Sequence, residues 1–244
     1  MKIFGLLAGG LLLFCCYPER VAAQYYNAEK GTVLEYAEFD ADGNITGYIE
    51  YLNKEVHGEG IDLTIKQEMT GSEVKEGGKV KRGRPSESML EVVNGTATQS
   101  VDMQAKHGKL KIKMNGPYCV LPYTLSVGDV LEPFALKAKA TILIISEEGA
   151  MEFRKRMVTG RETVETPAGS FDCFRIEEEA TLVLGPINIS VLGHSASEEV
   201  KNDATTTLKR ILWVAQNIGI VKMQEFDEEG KQESDVLLNN IRTI

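Results

Sequence analysis

Residues 61–69 read Ile-Asp-Leu-Thr-Ile-Lys-Gln-Glu-Met, and apolar and polar side chains alternate through this stretch. The apolar set is Ile61, Leu63, Ile65 and Met69, and the polar set is Asp62, Thr64, Lys66 and Glu68. Successive side chains of a β-strand point to opposite faces, so the stretch predicts a strand with one buried face.

The same period of two recurs along the chain between Gly, Asn and Asp residues. One inward set is Leu136, Ala138, Ala140, Ile142 and Ile144, and the next strand, 151–158, places Glu152, Arg154 and Arg156 outward. We therefore predict an all-β fold of about a dozen antiparallel strands with at most one or two short helices. Residues 24–244 are expected to form one domain. If the domain has two lobes, their junction is expected near 115–133, where Gly and Pro interrupt the alternation longest.

The N-terminus has the pattern of a secretory signal peptide. Lys2 precedes the apolar run 3–14, and Val21-Ala22-Ala23 supplies the small residues that a signal peptidase reads. We predict that residues 1–23 are a signal peptide, that Gln24 begins the mature chain, and that the protein is periplasmic or secreted. The alternative is a lipoprotein signal at Cys15 or Cys16, which is disfavoured because Phe14 stands where a small residue is expected.

Composition narrows the functional classes. The 244 residues carry a net charge of -9, with 43% apolar and 26% charged residues. Without residues 1–23 the chain keeps 25 basic and 35 acidic residues, a net charge of -10. An acidic chain lacks the basic surface of a nucleic-acid binder. No segment has the roughly 20 apolar residues that a membrane-spanning helix needs, so the chain is not expected to span a membrane.

Cys119 and Cys173 are the cysteines of the predicted mature chain. In an exported protein they are candidates for a disulfide. The alternative is two buried thiols, because free cysteine is among the most buried residue types.

The sequence contains no recognisable catalytic or metal-binding motif. Its three histidines, His57, His107 and His194, lie in separate segments without metal-ligand spacing. No nucleophile elbow or phosphate-binding glycine pattern is present. We predict a non-enzymatic protein with no catalytic residue, no cofactor and no metal site.

Two turns share one pattern. Residues 38–44 read Glu-Phe-Asp-Ala-Asp-Gly-Asn and residues 225–231 read Glu-Phe-Asp-Glu-Glu-Gly-Lys. In each, Gly supplies the positive φ of a tight turn before the return strand.

Two segments of the second half resemble a known family. Residues 159–176, with Thr166-Pro167-Ala168-Gly169 followed by Phe171 and Cys173, are similar to a conserved stretch of exported TapB-like proteins, and so are residues 212–222 around Trp213 and Gly219. Val214 and Gln216 depart from the family pattern. The resemblance covers roughly residues 30–244, and the family carries no established catalytic residues.

The resemblance implies a single curved antiparallel sheet, a half-open clam or spiral β-roll, with an apolar concave face. From this we expect an envelope protein that binds a lipid or another hydrophobic small molecule. The candidate lining, taken from the inward sets, is Ile142, Ile144, Met151, Phe153, Leu182 and Leu184. The alternative is a structural or assembly partner of another envelope protein, bound through a sheet edge or the acidic surface.

Overall fold

A computed structural model describes residues 24–107, 110–142, 145–184, 190–191, 194–195 and 206–244. Over these residues the chain forms β-strands and one 3-10 turn, Glu76–Gly78, and has no α-helix. The strands are β1 Thr32–Phe39, β2 Ile45–Glu59, β3 Asp62–Val74, β4 Val80–Arg82, β5 Ser86–Val93, β6 Thr96–His107, β7 Leu110–Pro122, β8 Val130–Leu131, β9 Phe134–Ile142, β10 Ile145–Thr166, β11 Gly169–Leu184, β12 Ser190–Val191, β13 His194–Ser195, β14 Thr206–Ala215, β15 Gly219–Phe226 and β16 Gln232–Thr243. The all-β prediction is confirmed. In the described part of the chain, no helix has the length and hydropathy that crossing a membrane requires.

The main sheet closes on itself, so the predicted open clam, single curved sheet or spiral roll was wrong. Twelve antiparallel strands follow the order β11-β14-β15-β16-β1-β2-β3-β5-β6-β7-β9-β10, and β10 pairs with β11 to complete the ring. The closing contact is extensive, running from Gly149 opposite Leu184 to Thr166 opposite Gly169. Alternation shows that a strand has one buried face, but it does not show whether the sheet that contains the strand is open or closed.

The predicted buried and exposed faces of β3 and β9 agree with the structure where the hydrogen-bond ladders between strands are regular. Leu63, Ile65 and Met69 of β3 are buried, whereas Ile61 is half exposed because it precedes the strand in the β2–β3 turn. On β9, Leu136 and Ala138 are buried and the intervening Lys137 is exposed. The candidate lobe junction, 115–133, spans the end of β7, the loop that follows it and β8.

A β-bulge in β10 reverses the predicted direction of Arg156. Arg154 pairs with Glu179 and Met157 pairs with Glu177, so two residues of β10 stand opposite Glu178 alone. Lys155 takes a φ of 48° at this point. The extra residue shifts the alternation, and Arg156 turns inward and is buried while Arg154 stays exposed.

The two similar turns lie side by side at one end of the barrel, because β1 pairs with both β2 and β16. In the first, Oδ1 of Asp40 accepts hydrogen bonds from the backbone N–H groups of Asp42 and Asn44. In the second, Oδ1 of Asp227 accepts from Glu229 and Lys231 in the same way. Each aspartate therefore holds its turn closed.

Candidate functional site

A cavity lies inside the barrel near the end opposite the two similar turns. Its lining comes from eight ring strands, β1, β2, β3, β5, β6, β7, β15 and β16, from the segment before β1 and from Ile218 in the β14–β15 turn. The space open to the centre of a water-sized sphere measures about 90 Å³. Most of the lining is aliphatic or aromatic, and Tyr36, Tyr51 and Tyr118 supply three of its rings.

The segment before β1, residues 24–31, closes this end of the cavity, and we call it the N-terminal strap. Its first residue, Gln24, accepts a hydrogen bond at 2.7 Å from the N–H of Asn217 in the β14–β15 turn. The Tyr26 hydroxyl donates at 3.1 Å to the carbonyl of Gly60 in the β2–β3 turn. Tyr25 and Tyr26 are both buried, and the Tyr25 ring packs edge to face on Phe174. The strap therefore covers the cavity with two aromatic side chains anchored at separate turns.

Two of the cavity phenols use their hydroxyl groups on the barrel wall. Tyr36 donates at 2.8 Å to the Ile220 carbonyl, and Tyr118 donates at 3.3 Å to Sδ of Met223. Burial raises the pKa of Tyr118 to about 12 and raises that of Tyr36 further. Both phenols therefore stay neutral at physiological pH.

Tyr51 differs from these two phenols. Its ring packs edge to face on Tyr36, with centroids 6.0 Å apart. Burial raises the pKa of Tyr51 well above its ordinary value. Its hydroxyl meets no hydrogen-bonding partner among the described residues, although it lines the cavity.

A chain of side-chain amides borders the same cavity. Gln99 donates to Gln67 at 3.3 Å, and Gln67 donates to Asn53 at 2.9 Å. Asn53 in turn donates to the backbone carbonyls of Asn27 and Glu29 in the N-terminal strap, at 3.0 and 3.1 Å. The amides therefore connect the wall of the barrel to the strap.

A buried ion triad lies on the adjoining strands β10, β11 and β14. Arg156, Glu178 and Arg210 each expose no more than 2% of their surface. Nε of Arg156 donates to one carboxylate oxygen of Glu178 at 2.7 Å, and Nε of Arg210 donates to the other. Arg156 also donates to the carbonyls of Glu132 and Val120, both at 2.7 Å. Both carboxylate oxygens of Glu178 therefore accept hydrogen bonds from guanidinium groups, and the carboxylate links β10 to β14 through β11.

The triad adjoins the cavity through an aromatic wall. The Arg210 guanidinium lies 5.0 Å from the ring centroid of Tyr118 and 4.2 Å from that of Phe153. It also donates to the Tyr118 carbonyl at 3.2 Å. Tyr118 thus faces the cavity and also contacts a buried cation, whereas no charged residue belongs to the described lining of the cavity.

The described residues were also searched for side chains that could bind a metal ion. Within them, no group of three or more His, Cys, Asp or Glu side chains is placed to hold a metal ion.

A family model described as DUF3108-like matches residues 29–238. The chain belongs to the DUF3108-like family. No curated protein matches it. Among solved structures it is similar to a presumed lipoprotein from Parabacteroides distasonis, at 17% identity and a TM-score of 0.63, covering 91% of this chain and 99% of that chain. It is also similar to a presumed exported protein with a YmcC-like fold from Bacteroides fragilis, at 17% identity and a TM-score of 0.61, covering 91% of this chain and 100% of that chain. At this identity, the likeness concerns the fold alone.

In this DUF3108-like chain the three predicted lining residues whose side chains the structure describes lie away from the cavity. Phe153 is buried and Met151 is half-buried in one core cluster, and Met151 stands opposite Leu182 across β10 and β11. None of these three contributes to the cavity lining. The side chains of Ile142 and Leu184, and the whole of Ile144, lie outside the described residues. Ligand binding by this set stays a prediction.

Cys119 and Cys173 are free thiols in the structure, buried in two different core clusters of the DUF3108-like barrel. Burial raises the pKa of Cys119 to about 11 and that of Cys173 to about 12. Cys119 lines the cavity, whereas Cys173 donates to the Phe171 carbonyl at 3.4 Å. Both thiols are thus buried, and a disulfide between them stays a prediction.

The triad was missed by sequence reasoning, although alternation held a signal for it. Glu178 alternates with the buried residues Ile176 and Ala180, so its side chain points to the same face of β11 as theirs. Arg210 likewise points to the same face of β14 as the buried Leu212. Charged residues are almost never fully buried unless they are paired, so a charge on an apolar face predicts a buried partner.

Proposed function

We propose that this chain is a non-enzymatic, exported protein of the cell envelope that holds a small hydrophobic molecule in the barrel cavity. The observation that carries the proposal is the neutral, largely apolar cavity under the N-terminal strap. Ligand sites are typically concave, lined by apolar and aromatic side chains, and equipped with a few polar groups. The cavity has each of these properties.

The size of the cavity limits the ligand. On the measure that gives this cavity a volume of about 90 Å³, a water molecule needs about 10–15 Å³. The cavity therefore has room for several waters or for one compact organic group. The proposed occupant is therefore a small molecule, or one end of a longer amphiphile, rather than a whole phospholipid.

Export is supported by the leader pattern of residues 1–23. Gln24, the predicted first mature residue, is bonded to the β14–β15 turn, and the next two residues are buried. Cleavage after Ala23 would thus leave a mature chain that begins with the strap. The structural neighbours named as a lipoprotein and an exported protein agree with this location, and membership of a TapB-like subgroup remains part of the proposal.

Native mass spectrometry of the mature protein, purified from envelope fractions, tests ligand carriage. We expect a bound small molecule that is lost when Ala97→Leu fills part of the cavity, because Ala97 is buried and belongs to its lining. Ala135→Leu is the matched control, since Ala135 is exposed on β9.

Protein that is always empty, and that no apolar probe stabilises, would contradict the proposal. A single dominant protein partner recovered with the empty barrel would instead favour an assembly role. That role would depend on the acidic surface, because every one of the twelve ring strands is paired on both sides, leaving no long free edge in the described sheet.

A further inference from the structure

We infer that the cavity selects a neutral molecule with an apolar body and one hydroxyl-type group, which Tyr51 and Gln99 recognise. The inference rests on the proposed function and specifies the chemical class of its ligand. It depends on which polar atoms of the lining already have partners and which do not.

The hydrogen bonds of the amide chain fix its direction. Asn53 donates through Nδ2 to two strap carbonyls, which can only accept, so its Oδ1 is the acceptor that faces Gln67. Gln67 must then offer Nε2 to Asn53 and Oε1 to Gln99. Each amide in turn is oriented by the one before it.

Gln99 is the last amide of the chain. Its Nε2 is used on Gln67, and its Oε1 receives no hydrogen bond from any described residue. Gln99 stands between Leu90 and Cys119 in the ladder, and all three line the cavity. The amide chain therefore ends in an acceptor at the cavity.

Tyr51 supplies the complementary donor. The neighbouring phenols Tyr36 and Tyr118 donate to the barrel wall, whereas the Tyr51 hydroxyl has no described partner. Tyr51 is half-buried and lines the cavity, so its hydroxyl is available to a molecule that enters. A hydroxyl can accept from Tyr51 and can donate to Gln99, so it is a group that either atom can bind.

The lining does not favour an ionised ligand. The described lining contains no charged side chain, and its buried phenols and thiol are neutral at physiological pH. The charges of the adjacent triad are paired with each other. An ionised group entering the cavity would lose its hydration without gaining an opposite charge in the lining.

Three probes of similar size represent a purely apolar ligand, a neutral ligand with a hydroxyl group and an ionised ligand: toluene, benzyl alcohol and benzoate. Binding of each to the mature protein would be measured by ligand-observed NMR for the wild type, Tyr51→Phe, Gln99→Leu and the control Tyr48→Phe. Tyr48 lies on the same strand as Tyr51 but does not line the cavity.

We expect the wild type to bind toluene and benzyl alcohol and to bind benzoate least. Tyr51→Phe and Gln99→Leu should each lower the ratio of benzyl alcohol to toluene affinity by about 2- to 10-fold, the effect of one hydrogen bond, and Tyr48→Phe should leave it unchanged. Two independent variants keep the test valid if one of them fails to fold.

The failures of the two proposals are distinct. If toluene and benzyl alcohol bind but the ratio is the same in all four proteins, the inference is wrong and the proposed function stands. Tighter binding of benzoate than of benzyl alcohol would also overturn the inference. If no probe binds the wild type, the proposed function fails as well.

Discussion

Neutralising Glu178 is the sharpest test of the structure, because this carboxylate is the sole anion of a buried triad. In Glu178→Gln the shape of the side chain is kept, but the amide offers one acceptor oxygen where the carboxylate offers two. Its NH₂ group would face the guanidinium of Arg156 or Arg210, which can only donate. The two buried cations would then face each other without a counter-charge.

Removing one partner of a buried ion pair costs about 3–5 kcal/mol in free energy of unfolding. Glu178 serves two partners and its side chain is fully buried, so solvent screening offers no relief. We expect a loss of about 4 kcal/mol. For a chain of this size that loss corresponds to a decrease in Tm of about 8–16 °C.

Urea unfolding of the mature protein, followed by circular dichroism, measures this loss directly. The matched control is Glu148→Gln, because Glu148 pairs with Lys139 at 3.0 Å on the surface and should change stability little. A second comparison replaces all three members, as Arg156→Met, Glu178→Leu and Arg210→Met. The triple variant should be more stable than Glu178→Gln, since it leaves no unpaired charge. A stability of Glu178→Gln within about 1 kcal/mol of the wild type would refute the buried triad.

Three further predictions concern the cavity and the turns. Tyr36→Phe should lower the free energy of unfolding by about 1–3 kcal/mol in urea titrations, because the Ile220 carbonyl loses its donor; an unchanged value would contradict that hydrogen bond. In a chain where the other cysteines are serine, Cys119 should react with a bulky thiol reagent, too large for the cavity, only as fast as the protein unfolds, because the thiol is buried and burial raises its pKa to about 11; rapid labelling of the native state by that reagent would disprove its burial. The backbone N–H of Asn44 is the first cause that lowers the pKa of Asp40 from its ordinary 3.8, so the ionised side chain stabilises the fold above about pH 4, and this contribution is lost as the pH falls through the lowered pKa. Asp40→Ala should therefore reduce stability at neutral pH and have a smaller effect in acid, whereas an equal effect at both pH values would contradict the role of the charge.

Local features of this fold could be predicted from sequence because neighbouring residues determine them. Leu136 and Ala138 face inward and Lys137 faces outward because β9 has a regular ladder. The turns at Asp40 and Asp227 form because each aspartate accepts hydrogen bonds from its own loop. Neither feature depends on distant parts of the chain.

Closure of the barrel could not be predicted in this way. The ring requires the first strand to pair with the last, with Thr32 opposite Thr243, and β11 to pair with both β10 and β14. Alternation specifies the buried face of a strand but not its distant partner. The prediction of an open sheet therefore had the correct all-β class and the wrong closure.

The candidate site shows the same limit. Cavity residues such as Leu34, Gln67, Gln99 and Val236 come from strands that are far apart in sequence. Arg156 additionally required the bulge at Lys155, without which it would have faced solvent. The bulge is indicated by the positions of the apolar residues along β10. Phe153 and Val158 are both buried although they are separated by an odd number of positions, which a regular alternation does not allow.

The buried triad and the cavity lining differ in how their polar groups are paired. On the β10–β11–β14 side, each carboxylate oxygen of Glu178 has a guanidinium partner and the Arg156 guanidinium donates to two further carbonyls. On the cavity side, Tyr51 and the end of the amide chain keep unused hydrogen-bonding capacity. The triad pairs its buried charges, whereas Tyr51 and Gln99 bring to the cavity polar atoms that no described residue binds, and this contrast supports the proposal that the cavity holds a ligand.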